Sequence, residues 1–152
     1  MAFRRSGPLR VWRIADGRFP VFDGAGAARH GGRWNSPGRR VIYAAETYAG
    51  AVLEKLVHTN IGSIPAGQRH IEIWIPAGVV LEEAGPEDMR GWDHGDYGDR
   101  WYDQQRTVVL QVPSMVALLE HNVLINQLHP EFRRLRASEP KPVLWDQRLF
   151  RH

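Results

Sequence analysis

Residues 31–58 read GGRWNSPGRRVIYAAETYAGAVLEKLVH, and three kinds of local signal follow one another there. A Gly-rich loop carries Arg33, Trp34 and Asn35 and runs into a Pro-Gly turn. "RVIYAA" (40–45) is a short, continuous apolar run, the pattern of a strand buried on both faces. "TYAGAVLEKLVH" (47–58) reads as a helix with Thr47 as its N-cap. At about 100° per residue, Ala49, Val52, Leu53, Leu56 and Val57 share one face, which is expected to pack on the sheet. Glu54 falls off that stripe, near Ala51 and His58. It stands at the edge of the packed face, where a carboxylate can point into a cleft.

Working outward, "LRVWRI" (9–14) is a β-like run. Residues 15–40 are rich in Gly and Arg and lack periodicity; they read as a long loop, and long loops in compact domains are usually functional or disordered. "HIEIWIP" (70–76) alternates Ile71, Ile73 and Ile75 with His70, Glu72 and Trp74, a half-buried strand. "GVVLEE" (78–83) is a further strand candidate. Residues 84–98 read as a polar loop, and "DRWYDQQR" (99–106) as a short helix. "TVVLQVPS" (107–114) is the clearest strand, with Ser114 just past its end. "HPEFRRLR" (129–136) places Pro130 at a first helical position, and "KPVLWDQRLF" (141–150) has β character. Strands and short helices without regular βαβ alternation imply an α+β fold. No linker or repeat divides residues 1–152, so a single domain is expected.

Composition narrows the function. The chain has no cysteine, which removes disulfides and thiolate metal sites and fits a reducing cytoplasm. No apolar run approaches the length of a membrane span, and "MAFRRSGPLRVWRI" lacks the apolar core of a signal peptide. No membrane role is expected. The net charge is +3, but only Lys55 and Lys141 among the 20 basic residues are lysine. An arginine-rich chain suits phosphate partners, because the guanidinium fork grips oxyanions bidentately; GC-rich coding gives the same bias. The histidines show no H-x-x-x-H or H-E-x-x-H spacing, and "WDHGDYGD" (92–99) lacks the closing glutamate of a calcium loop, so no metal is expected. Ser114 sits in V-P-S-M-V rather than a nucleophile elbow. "GAGAARHGG" (24–32) has no helix after it, as a phosphate loop needs. An Arg-rich nucleic-acid-binding module, with steeply salt-dependent affinity, is the alternative of another class; the aromatics do not interleave with basic residues in the pattern of an RNA-binding module.

Four residues remain, each at the end or edge of a separate element: Arg33, Tyr43, Glu54 and Ser114. Each has an ordinary reading beside a functional one. Arg33 is a clamp or a solvated loop arginine. Tyr43 is a site residue or core. Glu54 faces a cleft or pairs with His58 four residues on. Ser114 is a site hydroxyl or a turn residue after proline.

Taken together, "VWRI" (11–14), residues 31–58, "GDRWYDQQRTVVLQVPS" (98–114), "NVLINQLHPEF" (122–132) and "WDQRLF" (145–150) resemble the RES-domain family of toxin–antitoxin toxins, nearly end to end. The G-R-W-N … Y … E … V-P-S … N-x-L-I-N-x-x-H-P series carries the likeness. Gln127 departs from the pattern, where proline often follows the second Asn. The resemblance implies an α+β fold similar to ADP-ribosyltransferase domains, with central mixed β-sheets flanked by short helices. It implies NAD⁺ as substrate, consumed at the nicotinamide–ribose bond by phosphorolysis or hydrolysis, with inorganic phosphate as a possible co-substrate. Protein ADP-ribosylation is the alternative activity, and a catalytically inactive interaction partner is a third reading. The implied partners are a helix-turn-helix antitoxin covering the active site and a second copy of the toxin, with DNA reached only through the antitoxin. By motif, the family's arginine, tyrosine, glutamate and serine fall on Arg33, Tyr43, Glu54 and Ser114.

Chemistry gives these residues roles. Glycosidic cleavage builds positive charge on the ribose, which a carboxylate such as Glu54 stabilises. Arg33 is expected to clamp the pyrophosphate with Arg13 as helper. Tyr43 stacks on nicotinamide or orients the ribose. Ser114 donates to a phosphate or positions the acceptor. Trp34 and Asn35 complete the pocket wall, Gly31 and Gly32 let the backbone approach the dinucleotide, and Asn122 and Asn126 fix a neighbouring loop. Arg39 and Arg40 are expected on the surface, facing an acidic antitoxin.

Overall fold

The computed structural model describes residues 1–59, 62–85, 88 and 93–151. Its strands are β1 (Ala2–Arg4), β2 (Leu9–Asp16), β3 (Val41–Ala45), β4 (Gln68–Ile75), β5 (Val80–Glu83), β6 (Val109–Pro113), β7 (His121–Asn126), β8 (Arg136–Ala137) and β9 (Lys141–Pro142). They form one sheet in the order β1-β5-β6-β7-β3-β2-β4-β8, with β9 also on β4. β5 and β6 run parallel, and antiparallel pairs flank them on both sides. The helices are α1 (Ala25–His30), α2 (Tyr48–Val57) and α3 (His94–Asp103), with 3-10 turns at Pro130–Arg134 and Gln147–Phe150. This is the mixed α+β class, with a central mixed sheet and short helices.

Both sheet faces are covered, which explains why the inner strands read as unbroken apolar runs. Ile42, Ala44, Ile71, Ile73, Ile75, Val109, Val123 and Ile125 pack into one core layer. On the other face Val41, Leu110, Val112 and Leu124 pack with Trp34, Trp101 and Tyr102. Each fully buried aliphatic side chain contributes roughly 1.5–3 kcal/mol by leaving water.

One joint in the sheet is thin. β2 pairs with β4 over its whole length, and β3 pairs with β7 over all five of its residues, Val41 to Ala45. β2 and β3 share only the pair Trp12–Ala45. The strands splay apart there, and Arg13 spans the wedge: its Nε donates to the Val21 carbonyl at 2.7 Å and its Nη1 to the Tyr43 carbonyl at 2.9 Å.

Several expectations are corrected. Residues 15–40 are not all loop, since the Ala-rich stretch 25–30 winds into α1. The polar stretch 84–98 already holds the start of a helix: Asp93 caps α3 through the Gly95 amide, and Tyr97 and Trp101, one turn apart, face the sheet. Trp92, at the head of "WDHGDYGD", lies outside the described residues. β7 lies in the middle of the sheet although 121–126 gave no separate strand signal. Residues 141–150 keep only a two-residue strand before the last 3-10 turn.

The face of α2 is also different. Thr47 is the N-cap, its Oγ1 accepting from the Gly50 amide at 2.9 Å. The buried residues, however, are Gly50 and Ala51, while Leu53 and Val57 are 41% and 60% exposed. The helix sits so close to the sheet that a Cβ on Gly50 would come within 3.4 Å of the Ala45 Cβ. Only small side chains fit under it. Val52 still packs against Ala45 and Ala51, but Leu53 and Val57 are displaced from the packed face, and Glu54 and Lys55, one turn beyond Gly50 and Ala51, line the cavity.

Candidate active site

The wedge between β2 and β3 opens into a cavity of about 670 Å³, within the range of small-molecule and cofactor sites. β2 contributes Trp12 and Arg13, the loop after α1 contributes Arg33 and Trp34, and β3 contributes Tyr43. α2 contributes Glu54 and Lys55, its C-cap contributes His58, and β7 contributes Asn122. Of the sequence-derived candidates, Arg13, Arg33, Trp34, Tyr43, Glu54 and Asn122 line this space, whereas Asn35 and Ser114 stand behind its wall.

Glu54 is fastened on one side. Its Oε1 accepts from Asn122 Nδ2 at 2.8 Å and from Ser114 Oγ at 3.3 Å. Asn122 reaches it because β7 pairs with β3 at Ala45, directly under α2. Ser114 is buried, and its Oγ accepts from the Val116 and Ala117 amides at 3.3 and 2.9 Å. With both lone pairs engaged by the turn, the hydroxyl proton is left for the carboxylate. Glu54 Oε2 has no hydrogen bond among the described residues; His58 Nε2 lies 3.9 Å from it, beyond hydrogen-bond reach. One carboxylate oxygen is therefore held and the other is left free on a residue that lines the cavity. Ser114 positions Glu54, and Asn122 does the same rather than fixing a loop. Asn126 does fix a loop, accepting from the Leu128 amide at 2.9 Å.

The Gly-rich loop is held by side-chain hydrogen bonds. The Tyr43 hydroxyl accepts from the Trp34 amide at 3.1 Å and donates to Asn35 Oδ1 at 2.6 Å. Burial raises its pKa far above the usual tyrosine range. A Cβ on Gly32 would lie 2.6 Å from that hydroxyl, so glycine is required there to admit Tyr43. Asn35, buried, donates to the Ala27 and Ser36 carbonyls. α3 clamps the outer side: Asp99 accepts from the Ser36 amide and hydroxyl at 2.8 and 2.6 Å, and Asp103 takes Arg39 bidentately at 2.9 and 2.7 Å. Trp34 is 3% exposed and stacks on His94 with centroids 4.8 Å apart. It is both core anchor and cavity wall. Arg39 and Arg40 do not wait for a partner, since Arg40 pairs with Asp23 at 2.9 Å. Arg33 is the exception: exposed on this fixed loop, it makes no hydrogen bond or ion pair among the described residues and lines the cavity.

Among the described residues, Arg13, Arg33 and Lys55 thus border the cavity as cations. Burial lowers the Arg13 guanidinium to about 10, and it remains charged at neutral pH. Lys55 is also lowered, by burial first and then by Arg13. Lys55 and Trp12 were not singled out by sequence; the signal for both was adjacency, to Glu54 and to Arg13, once the inward face of α2 is known. A fixed carboxylate beside three cations suits an anionic ligand whose reacting part becomes positive.

The RES domain model matches residues 10–146. The chain belongs to the RES domain family. It is 39% identical over 154 aligned positions to "Prs ADP-ribosylating toxin" of Sphingobium sp., covering 92% of this chain and 96% of that protein. It is 32% identical to "Toxin Res" of Pseudomonas putida, covering 92% and 99%. Among solved structures, the crystal structure of the M. tuberculosis MbcT–MbcA toxin–antitoxin complex contains a chain of the same fold, with TM-score 0.71 and 17% identity over 91% of this chain and 85% of that one. The RES likeness read from the sequence is thereby established. Among the described residues no helix is long and apolar enough to cross a membrane.

Proposed function

We propose that this RES-domain protein is a toxin that consumes NAD⁺ by breaking the nicotinamide–ribose bond, with phosphate or water as acceptor. The observation that carries this reading is Glu54, tethered through Oε1 by Asn122 and Ser114 with Oε2 free, on the wall of a cavity also lined by Arg33, which has no hydrogen bond or ion pair among the described residues. Nicotinamide leaves with the bonding electrons, and the ribose C1 takes on oxocarbenium character. Glu54 Oε2 accepts from a ribose hydroxyl and stabilises that charge. Arg33 grips the diphosphate, and Trp34 walls the pocket. Water or phosphate then forms the new bond to C1, water losing its proton to solvent.

Purified protein incubated with NAD⁺, with and without phosphate, tests this by nicotinamide release. Release that needs phosphate marks phosphorolysis, and release without it marks hydrolysis; no release under either condition refutes the reading. Glu54→Gln keeps the shape and removes the charge, and is expected to lower the rate by about 100-fold or more. Transfer of ADP-ribose to a protein is the second reading, favoured by the 39%-identical relative, an ADP-ribosylating toxin by name. A labelled protein target after incubation with NAD⁺ would select it. The single RES unit acts in the cytoplasm as a homodimer, and a helix-turn-helix antitoxin covers the cavity. Val57 and Met115, 60% and 48% exposed at its border, support an apolar cover.

A further inference from the structure

Lys55 is one of two lysines in a chain that otherwise uses arginine. It stands on the inward face of α2, on the cavity wall with Arg13 of β2. Arg13 has Nε and Nη1 tied to the Val21 and Tyr43 carbonyls, which leaves Nη2 without a protein hydrogen bond among the described residues. The Lys55 ammonium likewise has no hydrogen bond or ion pair there. The acids whose fields reach them are engaged elsewhere. Asp16, the acid near Lys55, is held by Arg18 at 2.7 Å, and Asp23, the acid near Arg13, by Arg40 at 2.9 Å. Two like charges side by side in a partly buried wall repel unless an anion lies between them.

Arg33 is carried by a different segment: Arg13 grips the backbone carbonyl of Tyr43, while the loop of Arg33 is held by the hydroxyl at the tip of the same residue. The length of a tyrosine therefore separates the two anchor points.

We propose that Arg13 and Lys55 form a second, phosphate-binding subsite of the cavity, in addition to Arg33. The assignment rests on the reading of the cavity as a dinucleotide site. Its ligand is a phosphate oxyanion from one of two sources, the diphosphate of the dinucleotide or incoming inorganic phosphate.

The test titrates the wild-type protein, Lys55→Gln and Lys55→Arg with inorganic phosphate, pyrophosphate and ADP-ribose by calorimetry, alongside thermal unfolding. Because the Lys55 ammonium makes no hydrogen bond or ion pair among the described residues and is repelled by Arg13, Lys55→Gln is expected to unfold at or above the wild-type temperature and to lose about tenfold or more in affinity for at least one of these anions. Lys55→Arg is expected to restore it within about threefold. A loss confined to inorganic phosphate, with a raised KM for phosphate and an unchanged KM for NAD⁺, makes the acceptor the occupant. A loss for pyrophosphate and ADP-ribose, with a raised KM for NAD⁺, makes it the diphosphate. Wild-type affinity of Lys55→Gln for all three anions, or no rescue by arginine, overturns the subsite. These titrations need no turnover, so a failure to release nicotinamide would sink the proposed reaction without altering what the anion affinities say of the subsite.

Discussion

Removing one oxygen atom separates a loop-holding role from a substrate-touching role for Tyr43. Tyr43→Phe deletes the acceptor of the Trp34 amide and the donor to Asn35 Oδ1, bonds of 3.1 and 2.6 Å. A net hydrogen bond is worth about 1 kcal/mol, and a buried partner left unsatisfied adds to the loss, so the expected destabilisation is about 2–3 kcal/mol. For a chain of 152 residues that lowers Tm by about 5–10 °C. The loop carrying Arg33 would loosen, so kcat/KM for nicotinamide release should fall together with Tm. Differential scanning calorimetry and an initial-rate assay on the same preparations read both. An unchanged Tm with activity lost would refute the reasoning, because the hydroxyl would then act on the substrate and not on the loop.

Asn122→Ala and Ser114→Ala should separate activity from stability. Asn122 gives Glu54 the shorter bond, 2.8 against 3.3 Å, so its loss should cost more rate; Ser114→Ala leaves two turn amides without an acceptor and should cost more stability, about 1–2 kcal/mol. Initial rates and Tm ranked the other way round would contradict the assigned roles. Gly98→Ala puts a Cβ 1.7 Å from the Trp34 carbonyl oxygen, which forces α3 off the loop; a loss of about 3 kcal/mol or more in chemical denaturation is expected, and a near-neutral result would contradict the packing. At alkaline pH, Tyr43 and Tyr97 have pKa values raised chiefly by burial. The unfolded chain releases these protons near pH 10, before the native state does, so the stability they provide is lost as pH rises above about 10. Arg13, lowered to about 10, acts with the opposite sign. The test is therefore the difference: Tyr43→Phe and Tyr97→Phe should each lose stability less steeply than wild type between pH 9 and 11 in urea titrations.

Some of this was written in local sequence. Alternating Ile71, Ile73 and Ile75, the apolar run 41–45 and the Thr47 cap define their elements because burial and capping act over a few residues. The order of the Arg33, Tyr43, Glu54 and Ser114 motifs pointed to the family for the same reason, since a motif is legible one segment at a time. What stayed hidden was whatever depends on distance between segments. Gly50 and Ala51 draw α2 close to β3, which shifts the packed face away from Leu53 and Val57 and brings Lys55 to the cavity beside Glu54. Asp99, Asp103 and Gly98, more than 60 positions from the loop residues they meet, decide how the loop is clamped and that Arg39 is engaged. Ser114 meets Glu54 across 60 positions, and Arg13 finds Tyr43 only where two strands part. Residue type and spacing fixed which groups were available. Only the folded sheet decided which of them hold one another and which, like Arg33 and Lys55, are left to face the cavity, because that choice is made by through-space contacts that no local pattern encodes.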